Sequence, residues 1–140
     1  YKRQAVVSAQ QANAVPVAEY TLGMILLAGK DIFGLRERFR TERGFVIGED
    51  HGGTGNFGRT VGLIGASRIG RRVLELLRPF DFEVLLADPH VESDEAARLG
   101  ARLVGLDALM AGADIVSVHA PDLPETRRLV NAERLAAMKD

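Results

Sequence analysis

The chain contains no cysteine. Disulfides and thiolate metal sites are therefore excluded, and the composition fits a reducing compartment, with the cytoplasm as the expected location. An excess of one charge sign is also missing. Eighteen basic and 19 acidic side chains leave a net charge of −1 and a pI near 6.4. That balance offers no electrostatic case for a nucleic-acid partner or an anionic membrane. Lysine is scarce (Lys2, Lys30 and Lys139), so nearly all positive charge is arginine, and nothing functional follows from that. The longest apolar stretch, Leu22 to Gly29, is far short of the roughly 20 residues that cross a bilayer. No charged-then-apolar leader stands at the N-terminus, so no membrane partner is expected. No internal repeat and no group with metal-ligand spacing is present. His51 stands alone in a glycine-rich loop and reads as solvent-exposed.

At 140 residues the chain is one domain's worth and can bury a core without staples. Ala5 to Ser8 is a short extended candidate. Pro16 suits the first position of a helix, and a helical pattern runs from Val17 to about Arg40. The first half of that pattern (Leu22, Met24, Ile25, Leu26, Leu27, Ala28) is apolar nearly all round and is expected to be buried. The second half is charged and reads, on composition alone, as a solvated helix end. Gly44, Gly48, Gly52, Gly53, Gly55 and Gly58 then mark a loop. It is the expected boundary between a connecting helix and arm, residues 1–57, and a nucleotide-binding unit, residues 58–140.

From there strands and helices alternate. Val61 to Ile64 reads as a strand, followed by a helix with Ile69, Val73, Leu76, Leu77 and Phe80 on one face. A second strand, Glu83 to Ala87, ends on Asp88. Ser93 caps a short helix over Asp94 to Leu99 that stops at Gly100. Arg102 to Val104 is a third strand, and Asp107 caps a helix that Gly112 ends. Ile115 to His119 is a buried fourth strand, and Asn131 caps a last helix, Ala132 to Lys139. This alternation predicts an α/β fold: the first half of a Rossmann-type, doubly wound parallel sheet, preceded by a long helix and arm.

The run Thr60-Val-Gly-Leu-Ile-Gly-Ala-Ser-Arg-Ile-Gly70 joins the first strand to its helix, and Asp88 follows eighteen residues later. This is the layout of a dinucleotide-binding βαβ unit. Gly65 lets the chain turn out of the strand. Gly70 lets the helix pack closely. The first helical turn points unpaired N–H groups and a positive dipole end at a pyrophosphate. Asp88 is placed to accept hydrogen bonds from ribose hydroxyls, and an acid there disfavours a 2′-phosphate, so NAD is expected over NADP. Ser67 replaces the middle glycine of GxGxxG. Its Cβ adds crowding, while its hydroxyl has the option of donating to a phosphate. The plainer alternative is a βα turn serving another ligand, such as the adenosyl group of a methyl donor. His119 ends a parallel strand on the ligand-binding edge of the sheet. It reads as a pocket residue rather than a proton-transfer group, since no carboxylate is placed in sequence to pair with it.

Four segments together resemble the D-isomer-specific 2-hydroxyacid dehydrogenases, the family that contains phosphoglycerate dehydrogenase. Asn13-Ala-Val-Pro-Val-Ala-Glu19-Tyr is similar to the family's NAxxVAEH. Gly58 to Gly70 is similar to GKTVGIIGxGRIG. Ala87-Asp88-Pro89 is similar to YDP, and Asp114 to Pro121, continuing to Val130, is similar to ADxVxxHxPLxPET. The resemblance implies an NAD-dependent oxidoreductase that interconverts a D-2-hydroxy acid and its 2-keto acid. It implies that Gly65, Ser67 and Gly70 form the turn, that Arg68 and Ile69 contact the pyrophosphate, and that Asp88 holds the ribose. His119, Ala120 and Pro121 would line the adenine-side pocket, with Thr126 near it. Departures are Ser67 for glycine, Arg59 for lysine, Tyr20 for histidine and Asp122 for leucine. The resemblance also implies a homodimer, the segment Asp31 to Phe57 embracing a second copy through Phe33, Leu35, Phe39, Phe45, Val46 and Phe57.

The family's catalytic arginine, glutamate and histidine have no counterpart here, so no catalytic residue and no metal site are expected in this chain. It reads as a fragment carrying cofactor-binding groups without the chemistry, its fourth strand lacking a neighbour. A regulatory module that senses NAD(H) without turnover is the competing function, since fold alone does not separate the two.

Overall fold

The computed structural model describes residues 9–44 and 55–139. The extended candidate at Ala5–Ser8, and Phe45, Val46 and His51 of the loop, lie outside the described residues. The elements are α1 (Gln10–Gly29), α2 (Ile32–Glu42), β1 (Thr60–Ile64), α3 (Arg68–Leu77), β2 (Glu83–Ala87), α4 (Ser93–Arg98), β3 (Arg102–Leu103), α5 (Leu106–Gly112), β4 (Ile115–Val118) and α6 (Ala132–Ala136). The four strands form one parallel sheet in the order β3-β2-β1-β4. Strand order reverses direction at β1, so a crevice opens between the carboxyl ends of β1 and β4.

Residue alternation along the strands fills two cores. Val61, Leu63, Val84 and Leu86 face α1 and α3, meeting Ala18, Ile25, Val73, Leu74 and Leu77. Ile64, Leu85 and Ala87 face the other way, onto Leu109 and Met110 of α5. Both sheet faces are therefore covered, as a parallel sheet requires. Gly62 is what lets α5 approach. A Cβ there would stand 2.6 Å from Leu109 Cδ2 and 3.0 Å from the Cβ of Ala113.

β1 and β4 are tied at their amino ends through Asp114. Its carboxylate accepts from the Thr60 N–H at 2.7 Å, and its own N–H donates to the Thr60 carbonyl. Burial pushes the Asp114 carboxyl up, but the Thr60 N–H, Lys139 at 3.1 Å and the charge of Arg59 outweigh it and hold it below its ordinary range.

Several expectations need correction. The single helix Val17–Arg40 is two helices. Asp31 sits between them in the left-handed region at φ 48°. The cause is the segment just before β1. Gly55 N–H donates to the Gly29 carbonyl at 2.6 Å, and Asn56 Nδ2 to the Leu26 carbonyl at 3.2 Å. Those carbonyls would serve the next turn of a continuous helix. Pro16 does not open α1 but lies inside it, because the preceding Gln- and Ala-rich run already favours helix. The apolar half of α1 is not buried all round. Ala14, Ala18 and Ile25 are buried, whereas Leu27 and Ala28 are exposed.

As a whole, Ala12–Gly29 does reach the length and apolar composition of a membrane span, contrary to the count from Leu22 alone. Its buried face, however, is part of the domain core. β4 is half-buried rather than buried, since it is an edge strand, with Val118 half exposed. α3 ends at Leu77, which leaves Phe80 outside the helix, exposed and tilted against Phe82. Ser93 and Asp107 are first-turn residues and not caps, with Glu92 and Gly105 preceding the helices. α6 stops at Ala136, but Asn131 caps it as expected, accepting from the Arg134 N–H at 2.9 Å.

Gly62→Ala should destabilise the protein by about 1–3 kcal/mol, the range for overpacking a filled core. Chemical denaturation of the intact protein checks it. An unchanged midpoint would mean that α5 yields without cost.

Candidate dinucleotide cleft

The crevice at the carboxyl edge of the sheet is a cleft of about 930 Å³. Its floor is the turn from β1 into α3. Gly65 adopts φ +96°, and a Cβ on it would lie 2.8 Å from the Ala120 nitrogen. Gly70, in the first turn of α3, is buried, and a Cβ on it would collide with the Gly65 carbonyl oxygen. Both glycines are thus required by backbone contact, Gly65 also by its sign of φ.

Ser67 is the N-cap of α3. Its Oγ accepts from the Gly70 N–H at 3.3 Å, so the residue that breaks the glycine pattern also stabilises the helix start. The hydroxyl hydrogen remains free to donate. The first-turn N–H groups of Arg68 and Ile69 have no carbonyl behind them within the helix. The Arg68 side chain leaves the cleft and lines a separate groove with Ala14 and Val15 of α1. The Ile69 side chain packs against the core. Any pyrophosphate contact by these two residues is therefore through backbone.

Asp88 follows β2 and lines the same cleft. One carboxylate oxygen accepts from the Ala66 N–H at 2.7 Å and the other from the His90 N–H at 2.8 Å. Each oxygen keeps a lone pair for an incoming hydroxyl. The acid is thus fixed to the glycine turn and keeps acceptor capacity toward the cleft.

On the opposite wall His119 continues the β1–β4 ladder, its N–H donating to the Ile64 carbonyl at 2.7 Å. Its Nε2 lies 2.9 Å from Ser117 Oγ. Burial pushes the imidazole below its ordinary pKa of 6.5, so the ring is neutral at pH 7. Ala120 and Pro121 line the wall beside it. The Thr126 hydroxyl is bound to the Pro121 carbonyl at 2.6 Å and accepts from the Leu123 N–H at 2.9 Å. Its placement is at the cleft, and its bonds shape the loop that forms the wall.

Seven of the ten expected residues line the cleft: Gly65, Ser67, Asp88, His119, Ala120, Pro121 and Thr126. Two features escaped the sequence. Leu103, Val104 and Leu106 supply an apolar side, which the end of β3 on the same sheet edge would have indicated. Arg71 donates from Nε to the Ala66 carbonyl at 3.0 Å and pairs with Glu95 of α4 at 2.7 Å. Nothing in the sequence separates it from neighbouring Arg68 and Arg72.

The residues fit a dinucleotide: free N–H groups at a helix start, a backbone cradle too tight for side chains, and an acid with acceptor capacity. The family model of the D-isomer specific 2-hydroxyacid dehydrogenase NAD binding domain matches residues 22–140. A D-3-phosphoglycerate dehydrogenase of Mycobacterium tuberculosis is 39% identical over 138 residues, covering 96% of this chain and 25% of that protein. The NAD-dependent formate dehydrogenase of Staphylococcus aureus, solved in complex with NAD, superposes with a TM-score of 0.78 at 28% identity, over 93% of this chain and 39% of that one. The apo D-lactate dehydrogenase of Escherichia coli gives 0.68 at 34% identity, over 88% and 38%. The chain spans about a quarter of the length of that phosphoglycerate dehydrogenase. Cleft, motif and relatives agree: the chain belongs to the D-isomer specific 2-hydroxyacid dehydrogenase family, as an NAD-binding domain.

Proposed function

We propose that this chain is the cofactor-binding part of a cytoplasmic, homodimeric enzyme that interconverts a D-2-hydroxy acid and its 2-keto acid. The observation that carries the reading is the Asp88 carboxylate bonded to the Ala66 N–H at the mouth of a glycine turn. It joins a ribose acceptor to a pyrophosphate cradle in one cleft. Bound NAD(H) would supply the hydride chemistry. The chain's own residues bind and orient it. The N–H groups of Ser67, Arg68 and Ile69 face the pyrophosphate, Asp88 holds the adenosine ribose, and His119, Ala120 and Pro121 form the adenine-side wall braced by Thr126. No proton transfer is assigned to His119, whose ring partner is a serine hydroxyl.

The proposed division is an arm through residue 57 and a nucleotide-binding unit over 58–140. α1 lies on the arm side yet lends Ala18 and Ile25 to the nucleotide unit's core. α2 has no buried residue, while Phe33, Phe39 and Phe57 are 51%, 60% and 86% exposed. So much aromatic surface supports a second copy docking there. Four of the five charged residues of α2 pair within the helix, Arg40 with Glu37 and Arg38 with Glu42, as a solvated face would.

The intact protein should bind NADH more tightly than NADPH, and Asp88→Ser should narrow that gap. Titration of both cofactors by fluorescence tests the reading, and tighter NADPH in the unaltered protein would overturn it. Ser67→Gly should change NAD affinity by no more than about tenfold, or roughly 1.4 kcal/mol. A larger loss would make the hydroxyl a principal phosphate ligand. Light scattering at micromolar concentration should give a dimer that Phe39→Glu shifts toward monomer. A monomer mass throughout would refute the α2 interface.

A further inference from the structure

Arg71 is the residue after Gly70, and it is the one arginine or lysine among the described residues lining the cleft. Its Nε bonds the Ala66 carbonyl at 3.0 Å, and the Asp88 carboxylate bonds the Ala66 N–H at 2.7 Å. Guanidinium and carboxylate therefore flank one residue of the glycine turn, at the same corner of the cleft. Behind Arg71 stands Glu95, which does not line the cleft and holds Nη1 at 2.7 Å. Glu95 belongs to α4, which the chain enters five residues after Asp88. Both side chains reach solvent, at 41% and 32% exposure.

A 2′-phosphate differs from a 2′-hydroxyl by its negative charge and its acceptor oxygens, and a guanidinium is the side chain best suited to take it. Here the corner holds two carboxylates against one guanidinium, a net negative charge. We propose that the Arg71–Glu95 pair is a second determinant of dinucleotide choice: Glu95 withholds from a 2′-phosphate the one cation the cleft wall offers. Asp88 repels the phosphate directly, and Glu95 acts by keeping Arg71 occupied. The proposal rests on the dinucleotide reading of the cleft. It makes the preference for NADH follow the net charge of the corner, which passes from negative through neutral to positive as the two acids are removed in turn.

The test is titration of the intact protein with NADH and with NADPH in four forms: unaltered, Asp88→Ser, Asp88→Ser with Glu95→Gln, and Asp88→Ser with Arg71→Ala. Glu95→Gln should improve NADPH relative to NADH by about tenfold beyond Asp88→Ser alone, because the freed guanidinium gains a charge-assisted partner. Arg71→Ala should reverse the gain of Asp88→Ser by a similar factor. If Arg71→Ala weakens both cofactors together, by loosening the Ala66 turn, the Glu95→Gln form still decides, since Arg71 is intact there. NADH binding with an NADPH ratio indifferent to Glu95 would overturn the proposal alone. Absence of NADH binding in the unaltered protein would instead refute the dinucleotide reading beneath it.

Discussion

Three stretches of backbone meet at the carboxyl end of β1, and the cleft exists because none of them carries a side chain at the point of contact. Gly65 faces the Ala120 nitrogen, and Gly70 faces the Gly65 carbonyl. The first contact sets the entrance of α3 against the strand-end segment His119–Ala120. The second seats the helix on the turn, so that its first N–H groups open toward the crevice. Adding one methyl at Gly70 would push α3 outward by an ångström-scale shift. The dipole end and the acid would then no longer address one ligand. The whole site therefore depends on a steric allowance rather than on any single attractive bond.

Asp88 adds the attractive part. A buried or half-buried carboxylate is costly unless it accepts hydrogen bonds, and here the turn itself supplies them through Ala66 and His90. The acid is thereby satisfied before any ligand arrives, and it is held in one orientation. The same bond makes the turn's conformation depend on the charge at position 88. In the proposed reading, ribose recognition by Asp88 and the shape of the pyrophosphate cradle would be linked through a single N–H group, that of Ala66.

What could be read from the sequence follows from the range of the interactions involved. The strands, the glycine turn, Asp88 and the Asn131 cap rest on local chemistry: two-residue alternation, a required φ, a side chain reaching three residues on. Those were legible. The break at Asp31 was not, because its cause lies in Gly55 and Asn56, far along the chain. Arg71 was invisible for the same reason, since its acid partner Glu95 is brought to it only by packing α3 against the segment after β2. Ser67 was legible as a departure from pattern but not as a cap, although its spacing to Gly70 is that of an N-cap to its third helical residue. The expectation of a buried β4 failed because an apolar run does not by itself report exposure; the missing neighbour expected for the fourth strand does place it at an edge, as observed.

The break after α1 also decides where the two proposed surfaces lie. The N-terminal half of α1 shares a groove with Arg68 and Arg71, at the cleft end of the domain. Its C-terminus is capped by Gly55 and Asn56, just before β1 begins. At 20 residues and about 1.5 Å per residue, α1 therefore runs the depth of the domain, antiparallel to β1. α2 departs from the far end, at the amino edge of the strands. An apolar face carried there would leave the cleft mouth uncovered if, as proposed, it docks a second copy. Had the helix continued straight through Asp31, the same aromatic residues would have projected away from the domain on an unsupported rod. Docking of the 55–56 segment onto Leu26 and Gly29 is what turns that rod aside and fixes the direction in which α2 leaves.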